Sequence, residues 1–435
     1  METGNVILAV FAILSALFRG YIKPRIDELG FFRKAVNLNN DRCYRVEALE
    51  ACEDLYVNRE FGLAYFACSN RLQRAYWEPP LGLLRRDKLP FPSQDYIAIL
   101  DLNTLEHHKL DLVNLPPHLI KNGLHTHGID LYVHPSDGFE DDHGQIRLSG
   151  DSSDGSGSVR KATIYAINHN PPDDLNSTSS VGAQSVVEVF DTVLGDTQAT
   201  HRRTIESEFI LTPNNIVGMS ESSFYVTNDH QKKPYLMESE LDSIAYCSFA
   251  AEVDCKVAWH GKRPFPNGLA KVGYYSGSRK GAEFFCKCYV KGPDNYLYMA
   301  TTVNSWLQVF EIQPNHTLFL KEELKLPRMT DNIHVTPSGS IFLTNIPTIT
   351  KFIKKVKNYP TDSSLGSPVE IWKVSNVTGE NALIGGKMQV EKIFGDDSNE
   401  VSGSTGVAIW NSKLILTGLA SSYVSICELD SELLN

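Results

Sequence analysis

Phe224-Tyr225-Val226-Thr227-Asn228-Asp229-His230 reads as a short β-rich segment, Phe224 to Thr227, that runs straight into polar residues. The same form recurs along the chain at Tyr96 to Leu100, Ala162 to Ile167, Ser185 to Phe190, Tyr296 to Ala300, Trp306 to Phe310 and Ile341 to Thr344. Turn chemistry bounds these segments, as in Pro171-Pro172-Asp173-Asp174, Pro213-Asn214-Asn215, Pro293-Asp294-Asn295 and Pro337-Ser338-Gly339. Long faces of 3.6-residue period are hard to find, so the pattern predicts an all-β sandwich, barrel or propeller. No exact internal repeat is visible, and a propeller would need diverged blades. The stretch from Cys43 to Cys427 divides into six of roughly 64 residues, insertions included. Ser149 to Ser158 has the Gly/Ser composition of a flexible loop. It is read as a surface insertion, because the strand Lys161 to Ile167 follows at once and composition does not shift across it. A single domain is the simpler account.

The chain has 435 residues, 42% hydrophobic and 21% charged, enough for a large buried core. Its formal net charge of −11, without a long basic run, would repel nucleic acid and an anionic membrane surface. That points to a small-molecule or protein partner, and surplus acid suits bound divalent cations as well as plain solubility. At the N-terminus an apolar run from Val6 to Phe18 is closed by Arg19 and followed by Lys23 and Arg25. At about 13 residues it is short for a ~30 Å hydrocarbon core and near the length of a signal-peptide core. It is read as a secretory address within residues 1–25. Glu2 replaces the usual positive flank and the positive charges follow the run, so cleavage and retention as a membrane anchor both stay open. Three sequons, at Asn176, Asn315 and Asn376, fit passage through the secretory pathway as glycosylation sites. The eight cysteines include no C-x2-C pair, and Cys286-Lys287-Cys288 does not match a zinc spacing. In an oxidising compartment some of the eight would pair, and a bridge between the outermost two, Cys43 and Cys427, would close nearly the whole chain.

Polar pairs sit at the starts or ends of β segments: Glu53-Asp54, Asn214-Asn215, Asn267 before Gly268, and Asp331-Asn332. Carboxylate and amide oxygens are what a hard cation such as calcium takes, six to eight at a time. Each pair alone reads equally well as a turn or cap. No contiguous EF-hand loop occurs. His125-Thr126-His127-Gly128-Ile129 places two imidazoles on one strand face, and Ile167-Asn168-His169 carries a third. Such histidines serve metal or proton chemistry in some proteins and are plain structural residues in others. A serine hydrolase is discouraged, since no G-x-S-x-G occurs and Gly403-Ser404-Thr405-Gly406 lacks the spacing.

Taken in order, Cys43, Glu53-Asp54-Leu55, His127-Gly128-Ile129, Asn168-His169, Asn214-Asn215-Ile216-Val217, the run Phe224 to His230, Asn267-Gly268, Asp331-Asn332-Ile333 and Cys427-Glu428-Leu429 resemble the serum paraoxonase/arylesterase family. The collinearity spans about residues 40 to 430. Its most specific part is Thr227-Asn228-Asp229-His230 with Pro234-Tyr235-Leu236 shortly after. The resemblance implies a six-bladed β-propeller with two calcium ions in its central tunnel, preceded here by the hydrophobic leader. Position by position, it implies Glu53, Asn214, Asn267, Asp331 and Asn332 as ligands of a catalytic calcium. It implies Asp54, the main-chain carbonyl of Ile129 and Asn215 as ligands of a deeper, structural one. The family usually has Asp where this chain has Asn215, so the local charge falls by one. His127 matches the family's general base, His169 the residue that tunes it, and Cys43 and Cys427 a bridge between the first and last parts of the propeller. The free cysteine of the animal proteins corresponds to Asn345, so its thiol chemistry does not transfer. Pairing of Cys52, Cys68, Cys247, Cys255, Cys286 and Cys288 is left open. The Ser149 to Ser158 insertion and the stretch Gly273 to Lys291 are further departures near the expected tunnel mouth.

The leading expectation is therefore a secreted or membrane-associated calcium-dependent hydrolase of lactones and aryl esters, with phosphotriesters as promiscuous substrates. A non-catalytic propeller that keeps calcium for stability and binds a partner is the alternative the fold permits. A propeller lyase or synthase such as the strictosidine synthase-like proteins is disfavoured by the intact acid and amide set.

Overall fold

In the computed structural model of the chain, the residues described are 2–135, 138–140, 146–148, 160–174, 181–230, 242–261, 265–271, 295–359, 361–362, 364–376 and 386–434. The Ser149 to Ser158 insertion, the stretch Gly273 to Lys291 with Cys286 and Cys288, Pro234-Tyr235-Leu236 and Asn176 lie outside them.

The short apolar runs are strands of six radially arranged sheets, each built mainly of antiparallel hairpins. In the first, Asp54–Asn58, Leu63–Cys68, Tyr96–Asp101 and His107–Lys109 follow one another outward. The second runs from Thr126–Val133 through Lys161–Asn170 and Gln184–Val193 to Gln198–Ile205, with Asp111–Val113 added in parallel at its edge. The third, fourth and fifth begin at Pro213–Ser220, Pro266–Lys271 and Met329–Val335. The sixth begins at Gly406–Trp410 and is completed by the first strand of the chain, Cys43–Val46, paired with Val424–Glu428. Each innermost strand touches the next around the ring, and Asp54–Asn58 meets Gly406–Trp410, so the ring closes. This is a six-bladed β-propeller.

Second strands such as Leu63–Cys68, Ser223–Asn228 and Ile341–Ile346 are buried almost throughout, because neighbouring blades cover both their faces. That is why they read as unbroken apolar runs rather than alternating ones. The outer strand Leu318–Lys325 does alternate, with one face in water. Closure is covalent as well as hydrogen-bonded, since Cys43 and Cys427 stand opposite each other in the sixth sheet and form a disulfide across a sequence separation of 384. In the chain-entropy account a loop of that size contributes roughly 5 kcal/mol. Cys52 with Cys68 and Cys247 with Cys255 form two further bridges.

Helices lie outside the ring. Ile349–Asn358 lays Phe352 and Val356 over Met329, Ile346 and Leu419, and Leu29 and Leu81 join the same apolar cluster. The N-terminal run is helical over Glu2–Leu17, takes a π turn at Phe18–Ile22 and continues over Lys23–Leu29. Gly30 ends it at φ +70°, where a Cβ would come within 1.8 Å of the Pro347 carbonyl oxygen. Val10, Phe11, Ile13, Leu14 and Leu17 are exposed along it. Among the described residues no helix is long and apolar enough to cross a membrane.

Candidate functional site

Four of the six innermost strands carry the same irregularity at the same place. In the second blade the ladder pairs Thr126 with Asn168 and then Ile129 with Ala166, skipping His127 and Gly128. The third skips Asn214 and Asn215 between Pro213 and Ile216, the fourth Asn267 and Gly268 between Pro266 and Leu269, and the fifth Asp331 and Asn332 between Thr330 and Ile333. Each is a two-against-one β-bulge, which frees a residue pair from the ladder and re-aims its side chains. The first blade contributes Glu53 and Asp54 at the head of its inner strand without a bulge. In the sixth, Thr405 and Thr417 hydroxyls both donate to the Glu53 carbonyl and fix that turn. Gly128 and Gly268 are required by closeness: a Cβ would lie 2.6 Å from the Asn214 carbonyl oxygen and 2.7 Å from the Asp331 carbonyl oxygen.

The bulges bring the predicted polar residues together in two layers. The outer layer holds Glu53, Asn214, Asn267 and Asp331, all buried. Glu53 Oε2, Asn214 Oδ1 and Asn267 Oδ1 have no hydrogen-bond partner. Asn267 Nδ2 donates to Thr302, and the Asn267 side chain also hydrogen-bonds the Asp331 carboxylate. Burial, then the neighbouring charges of Asp54, Asp331 and Glu78, raise the Glu53 carboxyl well above its usual range. Burial also pushes Asp331 up to about 8, with Asp54 and Glu78 adding to it against the hydrogen bond from Asn267. Crowded carboxylates beside orphaned amide oxygens are a donor set for a hard cation. The carboxylates do not suffice alone: among the described residues no three His, Cys, Asp or Glu side chains form a metal site by themselves. Half of this set is asparagine.

The inner layer is different. Asp54 Oδ2 accepts from the Ile129 N–H at 3.0 Å and from Asn215 Nδ2 at 3.1 Å. Asn215 Nδ2 also donates to Asn332 Oδ1 at 2.8 Å, while its Oδ1 accepts from the Leu269 N–H at 3.3 Å. Asn332 bridges the layers, since its Nδ2 donates to Glu53 Oε1 at 2.9 Å. Burial raises Asp54 to about 7, against the hydrogen bonds that favour its ionised form.

Beside the outer layer His127 and His169 stand with ring centroids 5.1 Å apart. His127 Nδ1 is 3.2 Å from Glu78 Oε1, and its Nε2 is 4.0 Å from Glu53 Oε1. Glu78 is buried and held by Arg74 at 3.3 Å, whose guanidinium also donates to the carbonyls of Thr126 and Ala51. His169 Nδ1 shares a hydrogen bond with Ser185 Oγ at 2.9 Å, and its carbonyl accepts from the Trp77 indole at 2.7 Å. Burial, then the proximity of His127, holds His169 well below 6.5, so its imidazole is neutral. His125 points elsewhere, packing against Trp77 and Phe91, with burial lowering it to about 3. One more pair, at the end of the run Phe224 to His230, lies here: Asp229 Oδ1 is 2.5 Å from His230 Nδ1, and Asp229 Oδ2 accepts from Asn214 Nδ2. A small cleft lined by Pro79, Leu84, His169, Ser185, Leu211 and His230 opens next to the histidines.

Arg74, Glu78 and Ser185 were not singled out by sequence. Nothing local distinguishes Arg74 and Glu78 from a surface i, i+4 pair; only the Trp77 between them hints at burial. Of the sequons, Asn315 sits exposed in a tight turn and accepts from Thr317, and Asn376 ends the strand Val369–Asn376.

The family model described as Arylesterase matches residues 161–429 of this chain. Serum paraoxonase/arylesterase 1 of Rattus norvegicus is 22% identical over 418 residues, which covers 94% of this chain and 95% of that protein. Serum paraoxonase/lactonase 3 of Oryctolagus cuniculus is 26% identical over 259 residues, 58% of this chain and 61% of that protein. Among solved structures, the major allergen Mala s 1 of Malassezia sympodialis aligns over 91% of this chain and 97% of its own, with 11% identity and a TM-score of 0.47.

Proposed function

The chain belongs to the arylesterase family, and from that premise we propose that it hydrolyses lactones and aryl esters at the outer layer of the tunnel, with phosphotriesters as secondary substrates. The observation that carries this reading is the set of three buried oxygens without donors, Glu53 Oε2, Asn214 Oδ1 and Asn267 Oδ1, next to the Asp331 carboxylate and the His127–His169 pair. These residues fit calcium, and Glu53, Asn214, Asn267 and Asp331 would hold it, with Asn332 at their border. Bound there, calcium supplies Lewis-acid polarisation of a carbonyl or phosphoryl oxygen.

The remaining work falls to side chains. Glu78, fixed by Arg74, faces the His127 ring at ion-pair distance from Nδ1 and so biases its orientation by charge, with Nε2 on the side of Glu53. His127 Nε2 takes a proton from water as the water oxygen attacks the acyl carbon, and returns it to the departing alkoxide or phenoxide. His169, neutral and anchored by Ser185, sets the position of His127 from the other side. Pro79, Leu84 and Leu211 give the adjoining cleft an apolar wall that suits the acyl chain or aryl group.

We take residues 40–430 as the hydrolase domain and 1–25 as its leader. The three disulfides support passage through an oxidising secretory compartment. The exposed apolar side chains of the N-terminal helix support contact with a lipid surface. The test is turnover of an aliphatic lactone, phenyl acetate and paraoxon before and after calcium removal. Activity that vanishes on chelation, returns with calcium and is reduced in His127→Gln supports the reading. No turnover by folded, calcium-loaded protein would instead favour a propeller that binds a partner without catalysis.

A further inference from the structure

The two layers of the tunnel differ in whether their oxygens are already satisfied. Two oxygens of the inner layer, Asp54 Oδ2 and Asn332 Oδ1, face one point together with the outward end of residue 215. That outward end is the amide nitrogen of Asn215, which donates to Asp54 at 3.1 Å and to Asn332 at 2.8 Å. Its orientation is fixed by the other end, because Asn215 Oδ1 accepts from the Leu269 N–H. Turning the amide over would set its N–H2 against that N–H and its oxygen against two other oxygens. Ile129 meets Asp54 through its N–H, a donor that likewise satisfies the carboxylate. A carboxylate at position 215 would keep the Leu269 contact and point a third oxygen at the same spot, which only a cation could then relieve.

One step deeper, the chain supplies a positive charge of its own. Lys271 Nζ donates to the Gly218 carbonyl at 2.5 Å, and the Gly218 N–H donates to Asp130 Oδ2 at 2.7 Å. Asp130 and Lys271 thus clasp Gly218, one at its N–H and the other at its carbonyl. The acidic groups that act on Asp54 are Asp130 and, from the outer layer, Glu53 and Asp331, and Lys271 is the basic group beside Asp130.

Building on the calcium reading of the outer layer, we infer that the inner position is closed by the Asn215 amide and takes no ion, so the chain holds one calcium and not two. The Asn215 N–H2 does there what a divalent ion does between carboxylates, joining the first, third and fifth blades.

The experiment counts calcium in the full chain by elemental analysis after equilibration at saturating calcium, and by titration calorimetry of calcium-stripped protein. One ion per chain is expected, with Asn267→Ala reducing the count to none and Asn215→Asp raising it to two. Two ions in the unsubstituted chain would overturn the inference while leaving the proposed hydrolase intact. No ion in folded protein would overturn the inference and the proposed catalytic calcium together. A single ion retained in Asn267→Ala and lost in Asn215→Ala would place it in the wrong layer and overturn the inference as well. The count on the unsubstituted chain decides even where a variant does not fold.

Discussion

The outer and inner layers of the tunnel use the same residue types, one or two positions apart on the same strands, yet they end in opposite states. In the outer layer the Asn214 amide nitrogen donates to Asp229 and the Asn267 side chain hydrogen-bonds Asp331, while the carbonyl oxygens of both find no donor. In the inner layer Asn215 turns its nitrogen toward Asp54 and Asn332 and satisfies both. An unsatisfied buried polar group costs about 1–3 kcal/mol, so a layer with three of them is set up for something not made of protein. A satisfied layer is set up to hold blades together. The difference shows that the polar content of a strand does not define a site; which end of an amide its neighbours have already claimed does.

The largest way to break this contrast is to remove an outer carboxylate. Asp331→Ala is expected to lower kcat/KM for phenyl acetate by on the order of 10³-fold, about 4 kcal/mol of transition-state stabilisation, because the hold on the cation that polarises the carbonyl is lost. Asp54→Asn in the inner layer should cost stability and leave far more of the activity. Equal losses of activity in both variants would mean that the layers act as one site.

How much of this could be read beforehand follows the same division. The strands were legible because the second strands of each blade are buried on both faces and hence continuous in apolar residues, as at Phe224 to Thr227. The polar pairs were visible at Asn214-Asn215 and Asp331-Asn332, but each was as good a turn as a ligand. What makes them site residues is a bulge in the ladder, and a bulge depends on the partner strand, as when Thr227 stands alone opposite Asn214 and Asn215. The direction of the Asn215 amide depends on Leu269, 54 residues away. Arg74 and Glu78 were missed because their burial arises from contacts with Thr126 and His127 that no local pattern records. The helix Ile349–Asn358 escaped because only about three turns exist and its buried face is narrow.

A second test asks whether satisfied carboxylates elsewhere in the fold behave as the contrast requires. Glu188 is fully buried, yet His118, His201, Thr204 and Asn168 all reach its two oxygens. Burial raises its pKa, but the four hydrogen bonds together outweigh that and bring it down to about 2 from an ordinary 4.5. A depressed carboxylate pKa stabilises the fold above pH 4.5 and loses that contribution as pH falls toward 2, here about 3 kcal/mol. Glu188→Gln should therefore unfold more easily at pH 7, with the gap from the unsubstituted protein narrowing between pH 4.5 and 2 in a thermal-melt series. A gap that stays constant across that range would show that charge plays no part.

Beside the outer layer, Glu78→Gln separates orientation from metal holding. The glutamine keeps the volume beside His127 and loses the carboxylate, so turnover should fall roughly 10- to 100-fold with the calcium count unchanged. A matching loss of calcium would make Glu78 part of the cation's surroundings instead of a positioning residue.

The smallest expected effect sharpens the comparison from below. Lys271→Met removes the hydrogen bond to the Gly218 carbonyl and leaves Asp130 without the cation that faces it, a loss of about 1 kcal/mol in denaturant unfolding. Its use lies in the calcium count. Two features disfavour an ion in the inner layer, the Asn215 amide and the Lys271 charge, and they are separable. If the amide decides, Lys271→Met still holds one ion, and adding Asn215→Asp brings the second. If Lys271→Met alone binds two, the long-range charge excludes the ion and the amide merely follows it. The hydrogen-bond pattern favours the amide, because the Asn215 N–H2 sits between Asp54 Oδ2 and Asn332 Oδ1 and donates to both, whereas Lys271 is engaged at the Gly218 carbonyl.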